Sequence, residues 1–212
     1  KIENVLLGEY VLGSGKQYFT VRCKGKNPAS SGMCAGLVSI RIEQAQSFVG
    51  EWSVIGPFDN PDSNLGRGGL VKPYPPEMEI NFNKSYKGKN NTEAQWQVKK
   101  AEKDGFINFD PVFVPDNDKA VAYALCYVWS PDKRDIKIYM GSDDGCRIWM
   151  NDELILHRLL NRSAIPDDDI VDCTLKKGWN KLMVKVENNT GGWGFYLRIP
   201  NADNQLKFNA TK

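Results

Sequence analysis

The sequence predicts an all-β fold, a jelly-roll β-sandwich that is preceded by a partial β-sandwich. Apolar and polar residues alternate with a period of two in most apolar segments, which is typical of strands with one buried face. Helical periodicity is weak wherever it occurs, at 92–103 and 157–161. A chain of 212 residues is long enough to bury a core without cross-links.

The order of the predicted elements suggests an internal repeat. A glycine-containing loop, a long strand, an Asn/Gly-rich turn and a final strand occur at 12–40 and again at 175–199. Only the second copy follows enough strands to complete a sandwich. We therefore expect residues 1–46 to be the tail of one jelly-roll domain, 50–201 a complete sandwich and 202–212 a C-terminal tail.

The first part of the complete sandwich contains a long irregular segment. Pro and Gly residues punctuate 60–89, and a loop of that length in a compact domain is usually functional or partly mobile. The next apolar run, 121–129, is apolar on both faces. It predicts either a central strand that is covered on both sides or an aromatic row that lines a groove.

Residues 139–155 read as strand, turn, strand, turn, strand. In the first turn, Gly145 is expected to take positive φ while the carboxylates of Asp143 and Asp144 accept backbone N–H groups, so we predict a hairpin. The remaining strands follow from alternating apolar residues at 136–140, 182–187 and 195–199.

Charge and apolar content exclude two classes of partner. The chain has 28 basic and 26 acidic residues without a long basic cluster, so nucleic acid is not an expected partner. No apolar run approaches the roughly 18–20 residues of a membrane span.

The five cysteines are widely spaced and predict buried free thiols, with a Cys23–Cys34 bridge as the alternative. The oligomeric state stays open.

Asp143 and Asp144 are the candidate metal ligands. Calcium binds several oxygen ligands, and adjacent carboxylates at a turn can supply two of them. The alternative is that both side chains satisfy only the N–H groups of their turn.

The candidate ligand-binding residues are aromatic or basic. Sugar rings stack on Trp and Tyr through apolar C–H faces, and their hydroxyls need polar partners. Trp149 shares a strand face with Arg147, and Trp193 lies among glycines. With Tyr196 they form the predicted sugar platform. The alternative is that the Trp side chains only pack in the core.

Catalysis by this chain has little support. His157 is the single histidine, and no Gly-x-Ser-x-Gly motif occurs. Adjacent Asp143 and Asp144 do not resemble the two separated carboxylates of a glycosidase. An independent hydrolase is therefore the third alternative.

A series of short motifs spans residues 52–180. It comprises Trp52-Ser53-Val54-Ile55-Gly56-Pro57-Phe58, Tyr74-Pro75-Pro76-Glu77, Trp96, Gly141-Ser142-Asp143-Asp144-Gly145, Trp149-Met150-Asn151 and Leu175-Lys176-Lys177-Gly178-Trp179-Asn180. This order resembles the C-terminal accessory domain of secreted bacterial polysaccharide-active enzymes and, more distantly, the protective-antigen-type lectin-like domain. Residues 25–37 resemble the end of the jelly roll that follows the catalytic part in a double-jelly-roll glycoside hydrolase family.

The resemblance implies a non-catalytic module that binds a polysaccharide or oligosaccharide. In the related adhesin lectins a paired-Asp turn holds calcium, so calcium-assisted binding is implied here. It also implies a catalytic domain upstream of Lys1 and a secreted, periplasmic or cell-surface location in a bacterium. The alternative is a structural or assembly domain that packs on that catalytic domain or on a sister subunit.

Overall fold

The computed structural model describes residues 48–61, 68–115, 117–201 and 203–212. All of them belong to one unit of the chain, Ser47–Lys212. The predicted partial sandwich at 1–46, with Cys23 and Cys34, lies outside the described residues.

The described part of the chain is built almost entirely from strands, which confirms the all-β prediction. The segments with weak helical periodicity, 92–103 and 157–161, contain two short strands and the end of a longer strand instead. The strands are β1 (Glu51–Asp59), β2 (Tyr86–Lys87), β3 (Glu93–Ala94), β4 (Gln97–Lys100), β5 (Phe106–Asn108), β6 (Ala120–Ser130), β7 (Arg134–Asp143), β8 (Cys146–Met150), β9 (Glu153–Arg158), β10 (Asp169–Leu175), β11 (Gly178–Asn188), β12 (Gly194–Arg198) and β13 (Lys207–Asn209), and the helices are α1 (Pro75–Met78) and a 3-10 turn (Lys89–Asn91).

The long strands form two antiparallel sheets. The large sheet has the order β4-β1-β6-β11-β8-β9, with β13 also paired to β6, and the small sheet has the order β10-β7-β12-β5. Alternate side chains of both sheets meet in one apolar core. Across it, the Trp52 ring packs edge-on against Phe195 with centroids 5.2 Å apart.

Strand β6 lies in the middle of the large sheet and is covered on both faces. Ala122 and Ala124 face the core between the sheets, whereas Tyr123 and Leu125 face a second apolar cluster on the outer side. The prediction of a doubly covered central strand at 121–129 is therefore confirmed.

The outer face of the large sheet is covered by residues 68–96, which we call the cover segment. Its Tyr74 ring stacks on Phe58 of β1 with centroids 4.8 Å apart. Tyr86 and Ala94 belong to the same cluster. Part of the irregular segment predicted at 60–89 is thus a packed layer.

The predicted hairpin at the Asp143–Gly145 turn is wrong. Strand β7 belongs to the small sheet and β8 to the large sheet, so this turn carries the chain from one sheet to the other. Gly145 does not take the left-handed conformation; a Cβ there would lie 2.4 Å from Glu187 Oε1 and 2.7 Å from the Arg158 carbonyl. Close packing, rather than positive φ, explains the glycine.

The second predicted turn, at Asn151 and Asp152, does form a hairpin. Strands β8 and β9 pair directly, and Asn151 and Asp152 between them have φ values of 51° and 71°. Two consecutive left-handed residues match the right-handed twist of the flanking strands.

Three cysteines are free thiols, as predicted. Cys126 and Cys146 are buried and Cys173 is half-buried. Among the helices that the structure describes, none is long and apolar enough to cross a membrane.

Candidate functional site

Asp144 is anchored by the backbone of two other loops. Its Oδ1 accepts a hydrogen bond from Arg162 N at 3.0 Å, and its Oδ2 accepts one from Asn189 N at 2.8 Å. The residue is 6% exposed. Both carboxylate oxygens of Asp144 therefore satisfy backbone donors, but these donors belong to other loops and not to its own turn.

Asp143 has a different environment. It is half-buried, and burial, followed by the charges of Asp144 and Asp110, raises its pKa to about 6. The residues that the structure describes contain no group of three or more His, Cys, Asp or Glu side chains that could hold a metal. Calcium prefers six to eight oxygens, and the oxygens of Asp144 are already engaged, so this pair fits the ion poorly.

Arg147 and Trp149 do lie together. The Arg147 guanidinium carbon is 5.3 Å from the centroid of the Trp149 ring, within the range of a cation–π contact. Both side chains lie on the outer face of the large sheet, where Trp149 is 9% exposed. The pair exists as predicted, but the indole is mostly covered.

Trp193 has a packing role instead of the predicted platform role. It is fully buried, and the rings of Phe109 and Phe113 lie 5.2 and 5.3 Å from it. Its Nε1 donates to the Val186 carbonyl. The neighbouring glycines do not expose the ring, because the loop folds it into the core.

Tyr196 lies on the small sheet, away from the Arg147–Trp149 pair. It is half-buried, contacts Phe106 and Phe48, and donates its hydroxyl to Asp104 Oδ2 at 3.0 Å. The structure therefore does not bring the four predicted ligand-binding residues together.

An open cleft of about 460 Å³ lies elsewhere, beside β1. We call it the Trp96 cleft. This volume falls within the range of small-molecule binding sites. Three separate parts of the chain line it: Gly56 and Pro57; Thr92, Glu93, Gln95, Trp96 and Gln97; and Val112, Phe113, Val114 and Pro115.

Gly56 and Pro57, which we call the floor of the cleft, lie at an irregularity in β1. The pairing of β1 with β6 shifts register between Ile55 and Phe58, so Gly56 and Pro57 interrupt the ladder as in a β-bulge. Bulges commonly redirect a strand next to a binding site. A Cβ at Gly56 would lie 3.0 Å from Ala122 Cβ, which shows how closely the floor approaches β6.

The polar wall of the cleft is partly ordered. Gln95 Nε2 donates to Ser85 Oγ at 2.7 Å and to Glu93 Oε1 at 3.1 Å. Hydrogen bonds to the Glu93 carboxylate, first from Ser85 and then from Gln95, lower the pKa of Glu93. Gln97 is exposed beside them. The wall thus presents a carboxylate and amides to solvent.

The apolar wall contains Trp96 and the 112–115 loop. Trp96 is half-buried and packs edge-on against Phe82 at 5.6 Å. Val114, which also lines the cleft, is 66% exposed. An aromatic ring and an aliphatic side chain that line a groove with amides are suited to a ligand with both apolar faces and hydroxyls.

Sequence reasoning missed this cleft. Trp96 is named in the resemblance but lies in a segment with weak helical periodicity, so its face was not assigned. Gln95 and Trp96 lie between β3 and β4, so no strand periodicity could have assigned the direction of the Trp96 side chain.

Buried charges hold the cover segment to the large sheet. Lys185 is fully buried on β11, and its Nζ donates to Glu77 Oε1 at 2.8 Å and to the Lys72 carbonyl at 2.7 Å. Burial lowers the pKa of Lys185 to about 8 although Glu77 opposes that effect. Tyr123 donates its hydroxyl to the same Glu77 oxygen.

Comparison with known proteins identifies no family. No family model matches the chain, and no curated protein matches it.

Solved structures show distant similarity. An anti-sigma factor domain-containing protein has 14% identity over 80% of this chain and 47% of its own, with a TM-score of 0.46. A β-glucosidase from Kluyveromyces marxianus has 15% identity over 72% of this chain and 17% of its own, with a TM-score of 0.42. A glycosyl hydrolase family 2 member from Bacteroides cellulosilyticus DSM 14838 has 14% identity over 73% and 20%, also with 0.42. The chain spans less than half the length of each.

Proposed function

We propose that this β-sandwich is a non-catalytic carbohydrate-binding module and that the Trp96 cleft is its binding site. The observation that carries the proposal is the open cleft that one indole, aliphatic side chains and exposed amides line together. Its partner would be an oligosaccharide or polysaccharide. A bacterial, secreted or cell-surface location and an upstream catalytic domain belong to the same proposal.

The proposed contacts follow from the chemistry of sugars. The apolar C–H face of a pyranose ring stacks on Trp96, while its hydroxyls exchange hydrogen bonds with Gln95, Gln97 and Glu93. Hydrogen bonds already hold Gln95 and Glu93 in place. Binding therefore requires little further ordering of these two side chains. Val114 covers the opposite face of the ring.

Calcium has no part in this proposal. The Asp143–Asp144 pair does not line the Trp96 cleft, and Asp144 is engaged by backbone donors. Binding at the cleft should therefore be the same in calcium and in chelator.

Isothermal titration with neutral oligosaccharides of glucose, mannose and xylose tests the proposal. Trp96→Ala removes the stacking surface and should abolish binding, whereas Trp179→Ala, a change of another half-buried indole outside the cleft, should leave it unchanged. Gln97→Ala, an exposed residue, should weaken binding about fivefold to tenfold, as expected for the loss of one or two hydrogen bonds. Absence of binding by the unaltered protein at millimolar concentrations of all three would contradict the proposal.

A structural or assembly role is the second candidate. Leu159, Leu160 and Ile165 in the β9–β10 connection are 44%, 45% and 59% exposed, and Ile170 of β10 is 54% exposed. Exposed apolar side chains near one another are typical of contact surfaces. Light scattering after size exclusion tests this candidate, because a monomer at all concentrations would count against self-association.

A further inference from the structure

Two cationic side chains and the single histidine stand in a row across the large sheet. Lys185 of β11 lies directly opposite Arg147 of β8, and Arg147 lies directly opposite His157 of β9. We call these three residues the basic row. Directly opposed like charges on neighbouring strands are destabilising, so the arrangement needs a compensating anion.

Within the basic row, only Lys185 has an acidic partner. Its Nζ is 2.8 Å from Glu77 Oε1. In the part of the chain that the structure describes, Arg147 makes no ion pair, and its guanidinium rests on Trp149 instead. The adjacent Arg158 is already paired with Asp169 at 2.5 Å.

Two nitrogens of the row lack partners. Among the described residues, Arg147 Nε and His157 Nε2 are buried atoms without a hydrogen-bond partner. A buried nitrogen without a hydrogen-bond partner is destabilising. Both residues are half-buried overall, so parts of each are open to solvent although these two nitrogens are not.

Two acidic groups lie near the basic row and act on Lys185. Glu77 accepts from Lys185 and Tyr123. Glu187 accepts from Asn60 Nδ2 through Oε2 at 3.0 Å, while its Oε1 has no hydrogen-bond partner among the described residues. Neither of these carboxylates makes a hydrogen bond to Arg147 in the structure. In the described part of the chain, no ion pair therefore neutralises the positive charge of Arg147.

We propose that Arg147 and His157 form a binding site for a carboxylate group carried by an acidic sugar, separate from the Trp96 cleft. A guanidinium binds a planar carboxylate through two parallel hydrogen bonds. The mostly covered Trp149 indole lies next to Arg147 and holds the guanidinium in place through a cation–π contact. The carboxylate specificity stands on this geometry alone, whereas the assignment of the carboxylate to a sugar rests on the proposed function.

The single histidine gives a direct test. Burial, then the charges of Arg147 and Arg158, lowers the pKa of His157, and a bound carboxylate would raise it. Nuclear magnetic resonance of the imidazole signals is followed during titration with glucuronate, glucose, acetate and sulfate. We expect saturable shifts with glucuronate near about 1 mM, a raised pKa of His157, and no shift with glucose.

Variants separate this site from the cleft. Arg147→Gln should weaken glucuronate binding at least about tenfold, whereas Lys137→Gln, which removes the same charge from an exposed position on the small sheet, should not. Trp96→Ala should leave the His157 shifts unchanged even if it abolishes binding of neutral sugars.

Three results would overturn the inference. These are no saturable His157 shift with glucuronate in the unaltered protein, equal shifts in Arg147→Gln and the unaltered protein, and equal affinity for sulfate and glucuronate. Acetate binding as tight as that of glucuronate would overturn the assignment to a sugar. If the unaltered protein binds no neutral sugar but shows saturable His157 shifts with glucuronate, only the proposed function is contradicted.

Discussion

Asp144 shows how a buried carboxylate can be used entirely for structure. Each of its oxygens accepts one backbone N–H from a different loop, and hydrogen bonds to a charged acceptor contribute about 1.5–3 kcal/mol each. Asp144→Ala should therefore lower the free energy of unfolding by about 2–4 kcal/mol. Asp143→Ala is the matched control and should change it by less than about 1 kcal/mol.

The same two variants test calcium. Scanning fluorimetry in calcium and in chelator should give equal melting temperatures for the unaltered protein. A calcium-dependent stabilisation that Asp144→Ala removes would show that the pair binds the metal after all.

Glu187 should make stability depend on pH. Burial, together with the charge of Asp144, raises its pKa to about 7 from an ordinary value of 4.5. Between these values the folded state holds a proton that the unfolded state has released, so the stabilising contribution is complete below pH 4.5 and disappears as pH rises through 7. Relative to Glu187→Gln, the unaltered protein should lose about 1–3 kcal/mol over this interval.

Urea unfolding of both proteins from acid to neutral pH measures that difference. Glu153→Gln, a change at an exposed position, should leave the pH profile of the unaltered protein intact. Parallel profiles for the unaltered protein and Glu187→Gln would show that the Glu187 carboxyl titrates normally.

At the scale of elements, the cover segment depends on Glu77. Its carboxylate neutralises the buried Lys185 and accepts the hydroxyl of Tyr123. Breaking a buried pair by neutralising one partner is strongly destabilising, so Glu77→Gln should cost about 2–4 kcal/mol. Hydrogen exchange should rise first at 68–96 and only later in β6 and β11.

The control is Glu79→Gln, which breaks the exposed pair between Glu79 and Lys84 and should cost less than about 1 kcal/mol. Uniform exchange across the unit in Glu77→Gln would contradict the view that this carboxylate holds the cover segment locally.

Local sequence patterns predicted the positions of strands better than they predicted which strands pair and which side chains pack together. The alternation in β11 and β12 and the doubly apolar β6 are properties of neighbouring residues, so they could be seen in the sequence. The hairpin between β7 and β8 was wrong because the choice of sheet depends on β10, β11 and β12, which lie far along the chain. Trp193 was misplaced for a similar reason, since Phe109 and Phe113 bury it from a distant loop.

At the scale of the whole molecule, the candidate site could not be derived from one segment. The Trp96 cleft combines the irregularity in β1, the β3–β4 region and the 112–115 loop, which are brought together only by the packed sheets. The Arg147–Trp149 pair was predictable because both residues lie on one strand face. That Arg147 lies opposite Lys185 and His157 could be seen only from the register of β11, β8 and β9.

The most direct test of the central claim uses the indole N–H signals of the six tryptophans as local reporters. Trp52 and Trp193 are internal references, because their Nε1 groups donate to backbone carbonyls in the core. During titration with the neutral oligosaccharide that binds best, the Trp96 signal should shift saturably while these two signals stay in place. A saturable shift at other tryptophans without one at Trp96 would contradict the assignment of the cleft as the carbohydrate site.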